Sequence, residues 1–532
     1  MNNEVILEDK GEVTNEKLKI SNKTLPKILN ETASLWSNQQ AISFYDQNWT
    51  YEELKANVDL LAASLQSLGV KKGDRVALML PNCPQYIISY YAILNVGAIV
   101  VQINPMSSER ELQYILHDSQ TETIIFIDSV FFTVNAVIDT TFLTTTISVS
   151  LDSLLSENNA QYKYEELLLQ RKLELKQVEI NPFEDVAVIQ YTGGTTGRSK
   201  GAMLTHRNLV ANIEQHEERY KDCLEHGKER ILITVPLFHV FGMTVCMNLG
   251  IYQGSCLIPV PRFSAEVVLD LIQKEKPTRF DGVPTMFIAL NNHPKLADSG
   301  FEHIKFCHSG GSSMPVELIE EFEAKSGTII SEAYGLSETS PGVLGQISFD
   351  KRKHGSVGVP LPLTECKIVD LGDEEKEVEV GEVGQLIVKG PQVMKGYWKM
   401  PEETAMSLRE GWLFTGDMAR MDEDGYVYIV DRMKDLIIAG GYNVYPREIE
   451  EVLYEHPAIL EAVVIGVADA YRGETVKAVV VLKEGKQLSE GELTAFCKKN
   501  LSAYKVPKII EFRSEIPKTS IGKILRRVLR DE

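Results

Sequence analysis

The sequence predicts an α/β protein: a large N-terminal region of parallel-sheet subdomains with a twisted β portion, followed by a small α/β C-terminal domain. Three observations predict it. From about residue 74, short apolar runs alternate with amphipathic segments, a βαβα order that lays helices over a mostly parallel sheet. The chain has 532 residues, too many for one hydrophobic core. The composition also changes near Asp431, where DRMKDLIIAGG passes from basic through apolar to a glycine pair, with about 100 residues to follow. The boundary is therefore expected at 431–435, between segments 1–431 and 432–532.

The elements follow in order. DRVALMLP (74–81) is an apolar run ended by proline and reads as a strand. Residues 84–96 read as a helix stopped by Gly97, and AIVVQINP (98–105) as a strand stopped by Asn-Pro. Leu112, Ile115 and Leu116 share a helical face in ERELQYILHDS (109–119), and TIIFID (123–128) is the next strand. VAVIQYT (186–192) is a strand running into a glycine-rich turn, with a helix at 206–220 after it. ILITVPLF (231–238) reads as a strand, 263–277 as a helix ended by proline, and 363–369 and 383–390 as strands of the β-rich portion. The last segment carries helices near 446–455 and 489–500 and strands near 461–467 and 476–482.

Bulk properties exclude several classes. Apolar residues make up 44% and charged residues 24%, a globular mix. The formal charge of -20 disfavours nucleic-acid binding, though a local backbone pocket can still hold an anion. The seven cysteines lie apart with no CxxC pair, which reads as buried reduced thiols in a cytoplasmic protein. MNNEVILEDKGEVTNEKLK is acidic and lacks the apolar core of a secretory signal. The uncharged run 81–108 is long enough to span a bilayer, but Pro/Asn corners divide it. A buried helix followed by a buried strand is the better reading.

YTGGTTGRSKGAMLTHRN (191–208) is the strongest local signal. Gly193, Gly194 and Gly197 permit close backbone approach, Thr192, Thr195 and Thr196 add hydroxyls, and Lys200 adds a cation. Peptide N–H groups and hydroxyls together cradle phosphate oxygens, and a preceding strand is the right setting. The run is neither a Walker A loop nor GxGxxG.

The loop resembles the phosphate loop of the adenylate-forming superfamily: acyl-CoA synthetases, peptide-synthetase adenylation domains and beetle luciferases. YGLSET (334–339), TGD (415–417), DRMKD (431–435), GGYNVYPREIE (440–450) and PKTSIGKILRR (517–527) occur in the family's order, so the likeness covers roughly 24–530. YTGGTTG with NVYPREIE looks closest to the bacterial long-chain fatty acid–CoA ligases. One departure is visible: the family commonly has proline where this chain has Ser199, and a looser loop is expected.

The resemblance implies roles. Glu338 would hold Mg²⁺, and Thr339 would donate to the α-phosphate of ATP. Tyr334 would stack on adenine beside Gly310, Gly311 and Ser312 of SGGSSMP (309–315). Asp417 would take the ribose hydroxyls, with Arg432 near the same ribose and phosphate. Lys523 would be the adenylation lysine, bridging acid and α-phosphate, with Lys200 on the phosphates. A mobile C-terminal domain is implied, with Lys434 at the hinge and Gly440 and Gly441 lining the pantetheine path of coenzyme A. His239 would lie near the acid, gating or orienting it, and Gly335 would lie where the acyl group passes the backbone.

The implied reaction joins a carboxylic acid to AMP and passes the acyl group to coenzyme A. A medium- or long-chain fatty acid is favoured. Phe238 and Met243 in 236–250, with 280–290, are pocket candidates, although the same stripes can be plain core. Competing readings are an aromatic (4-coumarate-like) acid, transfer to a carrier-protein phosphopantetheine, and a non-catalytic nucleotide-binding module. No stable membrane insertion is expected, only peripheral contact through a fatty substrate. A homodimer is implied by the resemblance.

Overall fold

The computed structural model describes residues 18–151, 160–170, 172–192, 199–439, 442–469, 472–519 and 522–532. Among them the strands form four sheets. The helix Pro84–Asn95 shows why the first two pack together. Proline opens it, Gly97 follows its end at a φ of +76°, and nearly every side chain is apolar or a tyrosine. A helix apolar all round must be buried on all sides. Tyr86, Tyr90, Tyr91, Ile87 and Leu94 are all inaccessible to solvent, in a core shared with Leu78, Val100, Ile231 and Leu257 of both large sheets. The uncharged run is thus a 12-residue helix and a strand, Ile99–Gln102. Among the described residues no helix is long and apolar enough to cross a membrane.

One large sheet runs Gly396–Tyr397, Gly201–Thr205, Val186–Tyr191, Ile99–Gln102, Arg75–Met79, Thr123–Ile127, Thr145–Val149, Tyr162–Lys163. It is parallel from Val186–Tyr191 outward and antiparallel at the other edge. The other has Ile330–Gly335, Phe306–Ser309, Arg279–Gly282, Arg230–Ile233, Cys256–Pro259 and Gln40–Phe44 in parallel, with antiparallel strands at both edges. The helices at 109–119 and 206–220 fall where periodicity placed them, each opened by a reciprocal side-chain cap, Ser108–Glu111 and Thr205–Asn208. The strand expected over 231–238 ends at Ile233, because Pro236 breaks the ladder.

A third, antiparallel sheet holds Glu365–Val369, Gly384–Lys389, Trp412–Met421 and Val427–Arg432. The fourth belongs to the small C-terminal domain. Its central pair, Ile459–Asp469 and Gly473–Leu482, is flanked by Ile437–Ala439 and Ile509–Arg513. The helices Pro446–Tyr454 and Glu490–Asn500 cover one face around Ile449, Leu453, Leu493 and Cys497.

Candidate active site

Tyr334 is the penultimate residue of the strand Ile330–Gly335, which turns back against Gly342–Gly345. The return is tight: a Cβ at Gly335 would lie 2.1 Å from the carbonyl oxygen of Pro341, so only glycine fits. Asp417 lies on Trp412–Met421 directly opposite Arg432. The Tyr334 hydroxyl donates to Asp417 Oδ2 at 2.6 Å, and Arg432 Nε approaches Asp417 Oδ1 at 3.4 Å. Burial, then the Asp417 charge, pushes the Tyr334 phenol well above its ordinary value and keeps it a donor. Gly310 follows the strand Phe306–Ser309 with the Phe241 ring over it, and Gly311 and Ser312 are exposed beyond it. Two segments far apart in the chain, the strand 330–335 and the strand pair 412–432, thus meet around one carboxylate and one aromatic ring.

The glycine-rich loop leaves Val186–Tyr191 and returns into Gly201–Thr205. Gly193, Gly194, Thr195, Thr196 and Gly197 lie outside the described residues, as do Gly440 and Gly441. The neck of the loop is closed by Thr192 N–H donating to the Lys200 carbonyl at 2.9 Å. Ser199 adds a second tie, its hydroxyl donating to the Thr192 carbonyl, while Tyr114 donates to the Ser199 carbonyl at 2.8 Å. The serine hydroxyl supplies a cross-link that a proline ring lacks, while the loop expected to be looser, 193–197, lies outside the described residues. Lys200 pairs with Glu403 and sits 5.1 Å above the Tyr397 ring, and the Tyr397 hydroxyl donates to Glu338 Oε1 at 2.8 Å. Lys200 and Glu338 therefore flank one tyrosine. Thr339 is turned away from this space. Its hydroxyl is fully buried and donates to the carbonyls of Leu336, at 3.1 Å, and Pro341. The α-phosphate role expected of Thr339 does not fit that orientation; Ser337, half-buried on the same 3₁₀ turn, is the hydroxyl nearer the surface.

Lys523 lies on a short turn near the C-terminus. Gly522 N–H donates to the Thr519 carbonyl at 2.9 Å, Thr519 N–H to the Lys523 carbonyl at 2.7 Å, and Lys523 N–H to Thr519 Oγ1 at 3.0 Å. The turn presses on the N-terminal region: a Cβ at Gly522 would stand 2.2 Å from Thr285 Oγ1, with Val283 beside it. Burial lowers the Lys523 ammonium to about 8, reinforced by Arg432 and Lys434 and opposed by Asp417. Lys434 is likewise lowered to about 8 by burial and by Arg432. His239 falls to about 4 through burial and the charge of Lys523, so its ring is neutral near pH 7. Its Nδ1 accepts from Phe241 N–H at 3.3 Å, which leaves the ring proton on Nε2. Lys523, Arg432, Lys434, Asp417 and His239 form one electrostatic neighbourhood, with more positive than negative charge.

The AMP-binding enzyme model matches residues 29–398, and the AMP-binding enzyme C-terminal domain model matches 448–523. The chain belongs to the AMP-binding enzyme family. It is 48% identical over 541 residues to a long-chain-fatty-acid–CoA ligase of Bacillus subtilis (strain 168), covering 97% of this chain and 95% of that one. The crystal structure of ATP-bound MatB from Rhodopseudomonas palustris superposes with a TM-score of 0.86 at 30% identity, covering 96% of this chain and 99% of that one. The apo crystal structure of MatB gives 0.74 at 31% identity, covering 94% and 98%. The arrangement of this chain is thus nearer the ATP-bound than the apo form of that protein.

In this AMP-binding enzyme the region after His239 separates the pocket candidates. Phe238 is half-buried, its carbonyl accepting from Gln190 Nε2 at 3.1 Å. Met243 is fully buried, and its sulfur accepts from Gln102 Nε2 at 2.9 Å. It is a core residue here, as are Met247 and, nearly so, Met286. Gly242–Asn248 winds as a π-helix, the irregularity that often marks functional segments. Sequence reasoning passed over Tyr397 and Glu403, and did not single out Thr285 within 280–290 or Ser337 within YGLSET. Tyr397 and Glu403 lie in GYWKMPEET, which carries no chemical motif, and only folding brings them to Lys200.

Proposed function

We infer that this chain is an ATP-dependent, AMP-forming ligase that joins a medium- or long-chain fatty acid to coenzyme A through an acyl-adenylate. One observation carries the reading: Lys523, at the far end of the chain, lies within electrostatic reach of Arg432, Asp417 and His239. An excess of cations with one structural carboxylate suits a triphosphate and a fatty carboxylate meeting in one place. The near-full-length likeness to the Bacillus subtilis ligase supports the acid class.

In the first step a carboxylate oxygen of the acid attacks the α-phosphorus of ATP, and pyrophosphate leaves with the bonding pair. Tyr334, with Gly310, Gly311 and Ser312, takes the adenine. Asp417, already aligned by Tyr334 and Arg432, takes the ribose hydroxyls. Thr192, the loop 193–197 and Lys200 receive the phosphates, with Lys200 exchanging Glu403 for phosphate oxygen. Lys523 bridges the acid and the α-phosphate as charge builds. Glu338, a hard oxygen donor fixed by Tyr397, would hold Mg²⁺. Mg²⁺ would supply further neutralisation of the triphosphate. Neutral His239 and half-buried Phe238 border the acyl side, with Gly335 beside the acyl path.

In the second step the thiol sulfur of coenzyme A attacks the acyl carbonyl, AMP leaves, and the thiol proton passes to solvent. Lys523 blocks that approach while it is seated. We therefore assign residues 432–532 as a mobile domain against 1–431, with a hinge at Lys434 within 431–435 and a pantetheine path along Gly440 and Gly441. The seven free thiols, five of them buried, suit a cytoplasmic enzyme. A fatty substrate brings it transiently to membranes, and a homodimer is the expected assembly.

The test is incubation with Mg-ATP, coenzyme A and acids from acetate to stearate plus 4-coumarate, with AMP and acyl-CoA quantified by mass spectrometry. Equal yields of AMP and acyl-CoA that peak at a fatty acid are expected. A peak at 4-coumarate would overturn the acid class, and acyl-adenylate without acyl-CoA would move the acceptor to a carrier protein.

A further inference from the structure

We propose that Asp435 is a positioning residue for Lys523, acting through Arg526 and Arg530; this rests on the adenylating function inferred above. Asp435 closes the 3₁₀ turn Met433–Asp435, which directly follows Arg432. It is buried, and two guanidinium groups of the C-terminal helix Arg526–Asp531 converge on it. Arg530 Nη1 stands 3.1 Å from Asp435 Oδ1, and Arg526 Nη1 stands 3.8 Å from Asp435 Oδ2. Arg530 also donates to the backbone carbonyls of Lys434, at 3.5 Å, and Asp435, at 3.4 Å. The helix end is thereby tied to both the side chain and the backbone of the turn.

The tie extends to Lys523. Arg526 lies three residues after it, and Arg526 Nη2 reaches both oxygens of Glu450 at 2.7 Å each. Glu450 is itself held by Val464 N–H at 2.7 Å. On the other side of the turn, Lys518 Nζ meets the two oxygens of Glu461 at 2.6 and 2.7 Å, and Lys518 bridges to Ile524. The Glu461 and Glu450 pairs fix the Lys523 turn to its own domain. The Asp435 clamp ties the same helix to the segment that leaves Arg432. Since Arg432 pairs with Asp417, the clamp sets how far the Lys523 ammonium stands from the ribose and phosphate end of the site. Paired charges in fork geometry hold such a distance better than apolar contact does. These groups are paired with one another, so their effect belongs to the step in which Lys523 must be seated.

Two variants and two half-reactions test this. Adenylation is read as acid-dependent exchange of labelled pyrophosphate into ATP, and transfer as acyl-CoA formation from supplied dodecanoyl-adenylate and coenzyme A. Asp435→Asn and Arg530→Gln are expected to lose on the order of 10- to 100-fold in exchange, the scale of a misplacement of about 1 Å, while transfer stays within about twofold. Thermal midpoints are measured alongside, and Arg530→Gln, at the more exposed end of the clamp, keeps the test alive should Asp435→Asn fold poorly. Parallel loss of both half-reactions, or undiminished exchange in a folded variant, would overturn the positioning role alone. Absence of exchange by the wild-type chain with every acid would remove the adenylating reading and this inference together.

Discussion

Lys523 carries its role through its surroundings as much as its type. Burial and the cations Arg432 and Lys434 make its proton easier to lose, so that it titrates at about 8. The ammonium is the form that can oppose phosphate charge, and it is populated below that pH. We predict that kcat/KM for ATP in the exchange reaction falls as pH rises through about 8, because this parameter reports the free enzyme. Lys523→Ala should lose on the order of 100-fold or more in exchange and show no such limb. A descending limb that survives in Lys523→Ala would assign it to another group. At the same scale, Thr339 and Ser337 show a limit of motif reading. Both hydroxyls flank Glu338, and only the turn geometry decides which one is spent on backbone carbonyls.

Among the elements, the strand Arg279–Gly282 carries a fully buried ion pair. Arg279 is 1% and Asp281 0% exposed, and they meet at 3.0–3.1 Å. His308 Nδ1 lies 3.0 Å from Asp281 Oδ1, and Cys246 of the π-helix donates its thiol to Asp281 Oδ2 at 3.4 Å. Burial pushes the Asp281 carboxyl up, but Arg279 and His308 outweigh it and hold it below its ordinary value. The cluster thus ties the π-helix after His239 to the two parallel strands that carry Asp281 and His308. Asp281→Asn would leave the guanidinium buried without a counter-charge. We predict a loss of about 3–5 kcal/mol in unfolding free energy, read by urea denaturation. A loss below about 1 kcal/mol would show that the pair is not needed to hold the strands.

At the scale of the whole molecule, the N- and C-terminal parts meet over a group of carboxylates. Glu332, 4% exposed, accepts from Met314 N–H at 3.2 Å on its own side. Arg447 and Glu451 face it from the helix Pro446–Tyr454. Burial raises Glu332 to about 7, with Arg447 opposing and Glu451 adding to the shift. A carboxyl raised on folding stabilises the fold fully below its unfolded value. That contribution is lost as pH rises through the folded value. The wild-type chain should therefore lose stability between about pH 4.5 and 7, and Glu332→Gln should remove up to about 3 kcal/mol of that loss. The gain of the variant over wild type, read from urea midpoints, should be larger at pH 8 than at pH 5. An equal gain at both would refute the titration of Glu332 in this window.

What the sequence determined by itself was local. Apolar runs and helical spacing marked the strand Thr123–Ile127 and the helices at 109–119 and 206–220, because hydrogen bonds and side-chain period act over a few residues. Glycines and hydroxyls marked the phosphate loop, and ordered motifs marked the family. Tertiary structure decided the rest. The strand Gly201–Thr205 read as the tail of a loop, since its partners Val186–Tyr191 and Gly396–Tyr397 lie on either side of it in the sheet but one lies far along the chain. Met243, in the π-helix, became core while Phe238, ahead of it, stayed half-buried, a difference set by packing and not by residue type. Lys200 found Glu403, Tyr334 found Asp417, and Lys523 came within reach of His239. Such pairings depend on how whole sheets and domains pack, and Coulomb forces between distant segments leave no period in the chain for a reader to find.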